Sequence, residues 1–272
     1  MAHKTIVNGT VYEVNGGKCL VNGTAYSIKK GRTLIGGTGY DITFGPPPMP
    51  VKGDLITMNL DGTSRLYRVL SVNGNVCKVL GMWDDFTSKY NEKSTTTSFN
   101  GTTAQKYEGS TLDTYLNTTW YNTLSSEAKN AIVPENVVQY CYKYYDEPNT
   151  PNTPTYTYQY QDSWSNSNYK NADNVGNVTV GKRNVFALDL KDIFDYFEKV
   201  CITSNELMTI FWNSTNRVSK VLWLRSSYAN YSGSAWLVNS FSGYLSGSIA
   251  SYSSIVRPAL NLDMSKIQYT IV

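Results

Sequence analysis

Histidine is nearly missing from this 272-residue chain: His3 is the single one. A nucleophile activated by an imidazole base, as in Ser-His-Asp or Cys-His sites, is therefore excluded within one chain. Cysteine is sparse. Cys19, Cys77, Cys141 and Cys201 lie far apart with no CxxC pair, so the pattern points to free thiols and not to zinc. No stretch approaches the roughly 20 apolar residues of a membrane span, and MAHKTIVNGT has no apolar run of the secretory-signal type. Membrane insertion and a signal peptide are not expected. The formal net charge is only +3, with Lys and Arg scattered, so no basic stripe invites nucleic acid. Gly36-Gly37-x-Gly39 lies in a hairpin-like context and not before a helix, which argues against a phosphate loop. No metal or cofactor is expected.

The deepest absence is local. Between Arg225 and Arg257 there is no Asp, Glu, Lys, His, Cys or Thr, and 11 of the 29 residues from Ser226 to Ser254 are serine. Tyr, Gly, Ala and Asn supply most of the rest. Tyr gives rigid amphipathic area at low entropic cost, while Ser, Gly and Asn give adaptable hydrogen bonds, the composition of a recognition surface. The groups that acid–base or nucleophilic catalysis needs are lacking there. A Ser/Gly linker would share this composition. Three apolar anchors speak against a linker: WLR at one end, Trp236-Leu237-Val238 in the middle and IVRPALNLD at the other end. Short strands and loops on a rigid frame are expected. The candidate ligand-binding residues are Ser227, Tyr228, Asn230, Tyr231, Ser232, Ser234, Asn239, Phe241, Ser242, Tyr244, Ser246, Ser248, Ser251 and Tyr252. No catalytic residue is assigned.

Upstream, an internal repeat occupies residues 5–42. TIVNGTVYEV, CLVNGTAYSI and TLIGGTGYDI begin 14 residues apart, each with an Asn-Gly or Gly-Gly between apolar runs. That is the strongest short hairpin signal, because a type I′ turn needs positive φ twice. A meander of very short strands is expected at 1–44, leaning on other chains or on copies of itself. GPPPMP at 45–50 reads as a stiff spacer. A domain at 51–272 follows. It opens with a three-stranded meander broken at Asp61-Gly62 and Asn73-Gly74. Two helical pieces fall within 110–133, capped by Ser110 and Ser125. A long Pro/Asn/Tyr/Thr excursion spans 146–177. Asp189 caps a helix with Leu190, Ile193, Phe194 and Phe197 on one stripe, and Thr203-x-x-Glu206 is a capping box.

Several motifs have a structural reading that outweighs the chemical one. Glu147-Pro148-Asn149 matches a sugar-binding triplet of calcium-dependent lectins, but the further oxygens that calcium needs are absent nearby. The carboxylate pairs Asp84-Asp85 and Asp146-Glu147 are adjacent and ill-suited to a dyad. Asp189 and Asp192 sit where they favour a helix dipole. Arg225 and Arg257 lie in apolar strand-like runs, where guanidinium forks satisfy carbonyls or carboxylates.

The WLRS and VRPALNLD blocks, with the YRVL strand, the STLDTYLN helix and VFALDL, resemble a C-type-lectin-like domain of Gram-positive gut bacteria and their phages. Ser227 stands where that pattern usually has Pro. The same fold type includes the formylglycine-generating enzyme and the variable proteins diversified by retroelements. The enzyme's active-site cysteine has no counterpart here. The resemblance implies an α+β fold, short antiparallel strands with two or more helices, over 51–272. It implies a non-enzymatic receptor-binding protein that recognises a host-surface protein or glycan. The N-terminal repeats would attach it to a phage tail or cell-surface assembly, with a homo-oligomer such as a trimer in view. Location in the virion or at the bacterial surface follows. Adenine changes in an AAC codon yield Ser, Tyr, Gly, Ala, Phe, Ile or Val, the types that dominate 226–254, which suggests diversification. The rival readings are a purely structural virion or surface component and an enzyme of the formylglycine-generating fold type.

Overall fold

Two units make up the chain, Met1–Met49 and Pro50–Val272. The computed structural model describes residues 3–7, 10–14, 18–21, 24–27, 30–35, 38–43, 48–92, 106–142, 157–159, 177–199, 201–211, 221–228, 233–240 and 243–272.

The first unit holds three hairpins: β1 (His3–Val7) with β2 (Thr10–Val14), β3 (Lys18–Val21) with β4 (Thr24–Ser27), and β5 (Lys30–Ile35) with β6 (Thr38–Thr43). Val7 pairs with Thr10, Val21 with Thr24 and Ile35 with Thr38, so two residues separate the strands each time. That spacing is what Asn-Gly and Gly-Gly encode. The expected continuous meander is corrected: among the described residues these are three separate two-stranded sheets. Strands of four to six residues satisfy one edge within the hairpin, and among the described residues no ladder joins one repeat to the next.

The second unit opens with the expected meander, β7 (Leu55–Asn59), β8 (Ser64–Asn73) and β9 (Val76–Gly81). Gly62 and Gly74 take positive φ at its turns, which glycine adopts without strain. After β10 (Thr87–Lys89) comes one continuous helical stretch in three pieces, α1 (Thr111–Thr114), a π-helical turn Tyr115–Trp120 and α2 (Tyr121–Thr123). Next is α3 (Ser126–Ala131). Ser110 and Ser125 cap them, accepting from Asp113 N and Ala128 N. Then follow β11 (Glu135–Tyr142), β12 (Thr157–Gln159), β13 (Asn177–Arg183), α4 (Leu190–Phe197), β14 (Cys201–Thr203) and α5 (Ser204–Phe211). Asp189 and Asp192 form a capping box on α4, and Thr203 with Glu206 does the same for α5. The chain ends with β15 (Val221–Tyr228), β16 (Ser234–Asn239), β17 (Leu245–Ile249), β18 (Ser253–Ile255), β19 (Ala259–Asp263) and β20 (Tyr269–Ile271).

Two sheets organise this unit. One is five-stranded and antiparallel, ordered β19-β9-β8-β7-β20, so the last strands of the chain flank its first meander on both sides. The other is seven-stranded and mixed: β10-β18-β15-β11-β13, with β16 and β17 hydrogen-bonded outward from β15. β15 runs parallel to β11 and β18 and antiparallel to β16. One continuous core joins sheets and helices, with Trp120, Trp236, Tyr67 and Phe186 among its largest buried side chains. Lys78 on β9 ties the sheets together, 2.8 Å from Glu135 on β11 and 3.2 Å from Asp192 on α4.

The α+β C-type-lectin-like class is thereby corrected. Strands dominate in several mainly antiparallel sheets, and among the described residues no helical piece exceeds eight residues. The helical periodicity at 110–133 and 189–211 is real, but it produces short connectors. The Ser/Tyr stretch, read as short strands and loops, carries the strands β15 to β18. Among the described residues no helix is long and apolar enough to cross a membrane.

Candidate binding surface

β15 enters the core as Leu222-Trp223-Leu224, all buried. The Trp223 indole N–H donates to Ser88 O at 2.9 Å, and its ring meets Tyr90 edge-on at 5.5 Å. Arg225 follows and is also buried. Its Nη1 donates to Asp192 Oδ2 at 2.6 Å and Ala187 O at 2.7 Å, and its Nε to Val138 O at 2.8 Å. Burial alone would lower the guanidinium pKa. Asp192 and Asp189 outweigh that and raise it. Burial likewise opposes ionisation of Asp192, yet Arg225 and Lys78 hold its carboxyl below the usual range. Asp189, inside the helix cap, is pushed up by burial. Arg257 is anchored in the same manner, by Asp84 Oδ1 at 2.8 and 2.9 Å and Phe211 O at 2.5 Å. Both arginines that bracket the uncharged stretch are thus spent inside the molecule.

The first serines of the stretch are spent there too. Ser226 and Ser227 are fully buried. Ser226 Oγ accepts from Leu190 N at 2.8 Å, at the start of α4. Ser227 Oγ accepts from Gln139 Nε2 at 3.4 Å and donates to Tyr140 O at 3.5 Å. Gln139 Nε2 also donates to Tyr90 OH at 2.8 Å, and Tyr90 OH donates to Arg225 O at 2.8 Å. Ser227 therefore belongs to a buried polar network linking β11 to β15. Ser234 is buried as well, on β16 opposite Ile249. Tyr228 is half-buried: its ring stands edge-on to Trp236 at 4.7 Å and lies over Gly247. A Cβ at Gly247 would come within 2.8 Å of that ring. The absence of charge in 226–228 and 233–240 thus follows from burial in a sheet, a cause that composition alone does not separate from recognition.

Several of the described residues that follow face outward, although Leu245 and Ala250 are buried. Asn239 and Tyr244 are half-buried at the β16–β17 turn, where Asn239 N donates to Tyr244 O at 2.8 Å. Gly243 in that turn has φ +63°, and a Cβ there would fall 1.8 Å from Ser204 O at the start of α5. Only glycine allows this approach. Ser246 and Ser248 alternate with the exposed Gly247 and Ile249 along β17. Ser251 is half-buried, and Tyr252 is 59% exposed. Ile249, at 41% exposure, was not among the sequence candidates. Strand alternation places Ile249 on the same face as the buried Leu245, so the sequence carried no signal for its exposure. Between Ile249 and Tyr252 the chain turns on Ala250. Its N–H donates to Gly233 O at 2.9 Å, its carbonyl accepts from Asn91 N at 2.9 Å, and Tyr252 N donates to Ile249 O at 3.0 Å. Asn230, Tyr231, Ser232, Phe241, Ser242 and the Glu147-Pro148-Asn149 triplet lie outside the described residues.

No curated protein and no solved structure matches this chain. A family model does match, over residues 86–264, which takes in every strand and turn of the surface just described. That span is most of the chain, and the protein accordingly belongs to the family DUF6273, a domain of unknown function.

Proposed function

We propose that this protein is a non-enzymatic binding module. In this reading the larger unit presents a rigid, uncharged patch to a partner on a cell surface, a protein or a glycan. The patch is the turn carrying Ile249 and Tyr252, with Ser246, Ser248 and Ser251 beside it. The observation that carries the reading is the way this turn is held. Two exposed apolar side chains ride on a backbone pinned to Gly233 and Asn91 through Ala250, which is itself fully buried. A patch ordered before binding loses little conformational entropy when a partner arrives. Aromatic and aliphatic anchors ringed by hydroxyls are what contact surfaces use. The repeat unit would hold the module on a larger assembly, a phage tail or a bacterial surface. Any retroelement diversification would be confined to outward positions such as 246, 248, 251 and 252, because a random residue at 226, 227 or 234 would break the sheet.

The test uses the whole chain, fluorescently labelled, on a glycan array and on intact bacterial cells. Ile249→Asp and Tyr252→Ala should each weaken the retained signal about tenfold, roughly 1.4 kcal/mol, with the melting temperature unchanged. Wild-type retention that neither substitution alters, or no retention on either target, would overturn the reading. A gene without a neighbouring template repeat and reverse transcriptase would remove diversification alone.

A further inference from the structure

β17 closes one end of its sheet without the protection that the other sheet edges carry. An outer edge presents unpaired N–H and C=O groups, and proteins blunt it with short strands, charged side chains, bulges or a covering segment. β19 is covered: Phe186 and Ile132 bridge to Ala259 and Leu262, and Val133 N donates to Asn261 O at 2.9 Å. β10 and β20 are only three residues long. β13 bears Lys182 and Arg183 and pairs with β11 across a register shift at Val137 and Val138. β17 reads Leu-Ser-Gly-Ser-Ile, with no charge and no Pro. It pairs with β16 without a shift over all five residues, and among the described residues no strand lies on its other side.

The register fixes which backbone groups point outward. Asn239 N donates to Tyr244 O and Ala250 N to Gly233 O, both in line with the β16–β17 ladder. Opposed residues alternate between bonded and non-bonded pairs. Ser246 and Ser248 therefore spend their backbone groups on β16, and those of Leu245, Gly247 and Ile249 face away. Ile249 O accepts from Tyr252 N at 3.0 Å. Gly247 N–H, Gly247 C=O and Ile249 N–H have no backbone partner among the described residues, and both residues are exposed. We propose that an extended segment of a partner polypeptide adds to this edge as a further strand. The inference rests on the binding reading above and deepens it, naming a protein and not a glycan as what the surface takes. Two observations choose the occupant. The open groups alternate donor and acceptor at strand spacing, about 6.8 Å for every two residues, the pattern that another strand returns. The partner residue opposite Gly247 places its side chain on the face of Ile249 and of the Tyr228 ring, which a Cβ at Gly247 would approach to 2.8 Å. No charged residue lies between Arg225 and Arg257, so an uncharged, apolar side chain fits there.

The test begins with an array of random octapeptides probed with the labelled full chain, the strongest binder then being synthesised. Amide hydrogen exchange of the wild-type protein, read by NMR, should slow about tenfold or more at Gly247 and Ile249 when that peptide is bound, and less at Ser246 and Ser248, which already bond to β16. Unchanged exchange at Gly247 and Ile249 with peptide bound would overturn the proposal. N-methylation along the peptide should weaken binding about tenfold at alternate residues only; loss at every residue, or at none, would overturn it as well. On the protein side, proline is tolerated where an edge N–H faces outward. Ile249→Pro, which removes that N–H, should bind about tenfold more weakly than Ile249→Ala, which keeps it. Equal binding by the two folded variants counts against an added strand, and the wild-type measurements decide if the Pro variant does not fold. No octapeptide retained, with retention on glycans or cells intact, would overturn the added strand and leave the binding reading standing. No retention on any of the three would overturn both.

Discussion

Arg225 Nη1 sits 2.6 Å from Asp192 Oδ2, joining the strand that opens the serine-rich stretch to the first turn of α4. Lys78 from the other sheet reaches the second oxygen of the same carboxylate at 3.2 Å. One aspartate thus clamps two sheets and a helix. Its ionised form is favoured in the fold, which means that folding and pH are coupled through it.

The sign follows from the direction of the shift. The Asp192 carboxyl is held below the ordinary value near 4. Its contribution to stability is present above that value and is lost as pH falls through its lower, folded-state pKa. Asp189 is raised and acts in the opposite sense: its share is present below the ordinary value and lost as pH rises through the raised one. Asp192→Asn isolates the first effect. It should cost about 3–5 kcal/mol at neutral pH, as removing one partner of a buried ion pair does. The gap in melting temperature between variant and wild type should begin to narrow below pH about 4 and close only as pH falls through the lower, folded-state value. A gap that stays constant from pH 7 to 3 would show that the clamp is not ionic.

Gly243 makes a second, steric prediction. Its positive φ and the 1.8 Å approach of a Cβ to Ser204 O leave no room for a side chain. Gly243→Ala should lose more than about 2 kcal/mol, combining left-handed strain with displacement of the α5 start. Gly62 and Gly74 share the positive φ but have nothing within 4 Å, so alanine there should cost only about 1 kcal/mol. Chemical denaturation of the three variants checks the ranking.

Tyr67 tests a buried vacancy in bonding. Its hydroxyl, like the Trp83 and Trp120 indole N–H groups, finds no acceptor among the described residues. The three rings adjoin, Tyr67 and Trp83 at 4.9 Å and Trp83 and Trp120 at 6.2 Å. Removing an unsatisfied buried hydroxyl recovers its desolvation cost of about 1–3 kcal/mol. Tyr67→Phe should therefore leave the melting temperature unchanged or raise it. A fall equivalent to more than about 1 kcal/mol would reveal a bound partner at that oxygen.

Much of the local structure was legible, because its causes are local. Asn8-Gly9 and Asn22-Gly23 demand tight turns. Ser110, Ser125, Asp189 and Thr203 satisfy helix N–H groups two or three residues away. The preferred reading of Arg225 and Arg257, guanidinium forks serving carboxylates and carbonyls, is what the geometry shows. The fold class was not legible, because it depends on pairings such as β19 with β9 and β15 with β11 that join distant segments. Which of the candidate residues lie inside was not legible. Serine reads as a surface residue from sequence, and what turns Ser226 and Ser227 inward are partners 36 and 88 positions away, Leu190 and Gln139.

That division of the serines gives the last prediction. Ser227 and Ser248 look alike in the chain, each a serine in a charge-free run, yet one is buried and bonded and the other half-exposed on β17. Ser227→Ala removes the hydroxyl between Gln139 and Tyr140. Its contacts of 3.4 and 3.5 Å are long, and Gln139 keeps Tyr90 at 2.8 Å, so the cost should be about 1 kcal/mol. Ser248→Ala should change stability by less than about 0.5 kcal/mol. Partner retention should respond in the reverse order, falling for Ser248→Ala and holding for Ser227→Ala wherever the protein remains folded. Measured together, melting curves and retention on cells separate the serines that build the sheet from those offered at its surface. If Ser227→Ala abolished retention while the fold stayed intact, the line drawn here between scaffold and contact face would be in the wrong place.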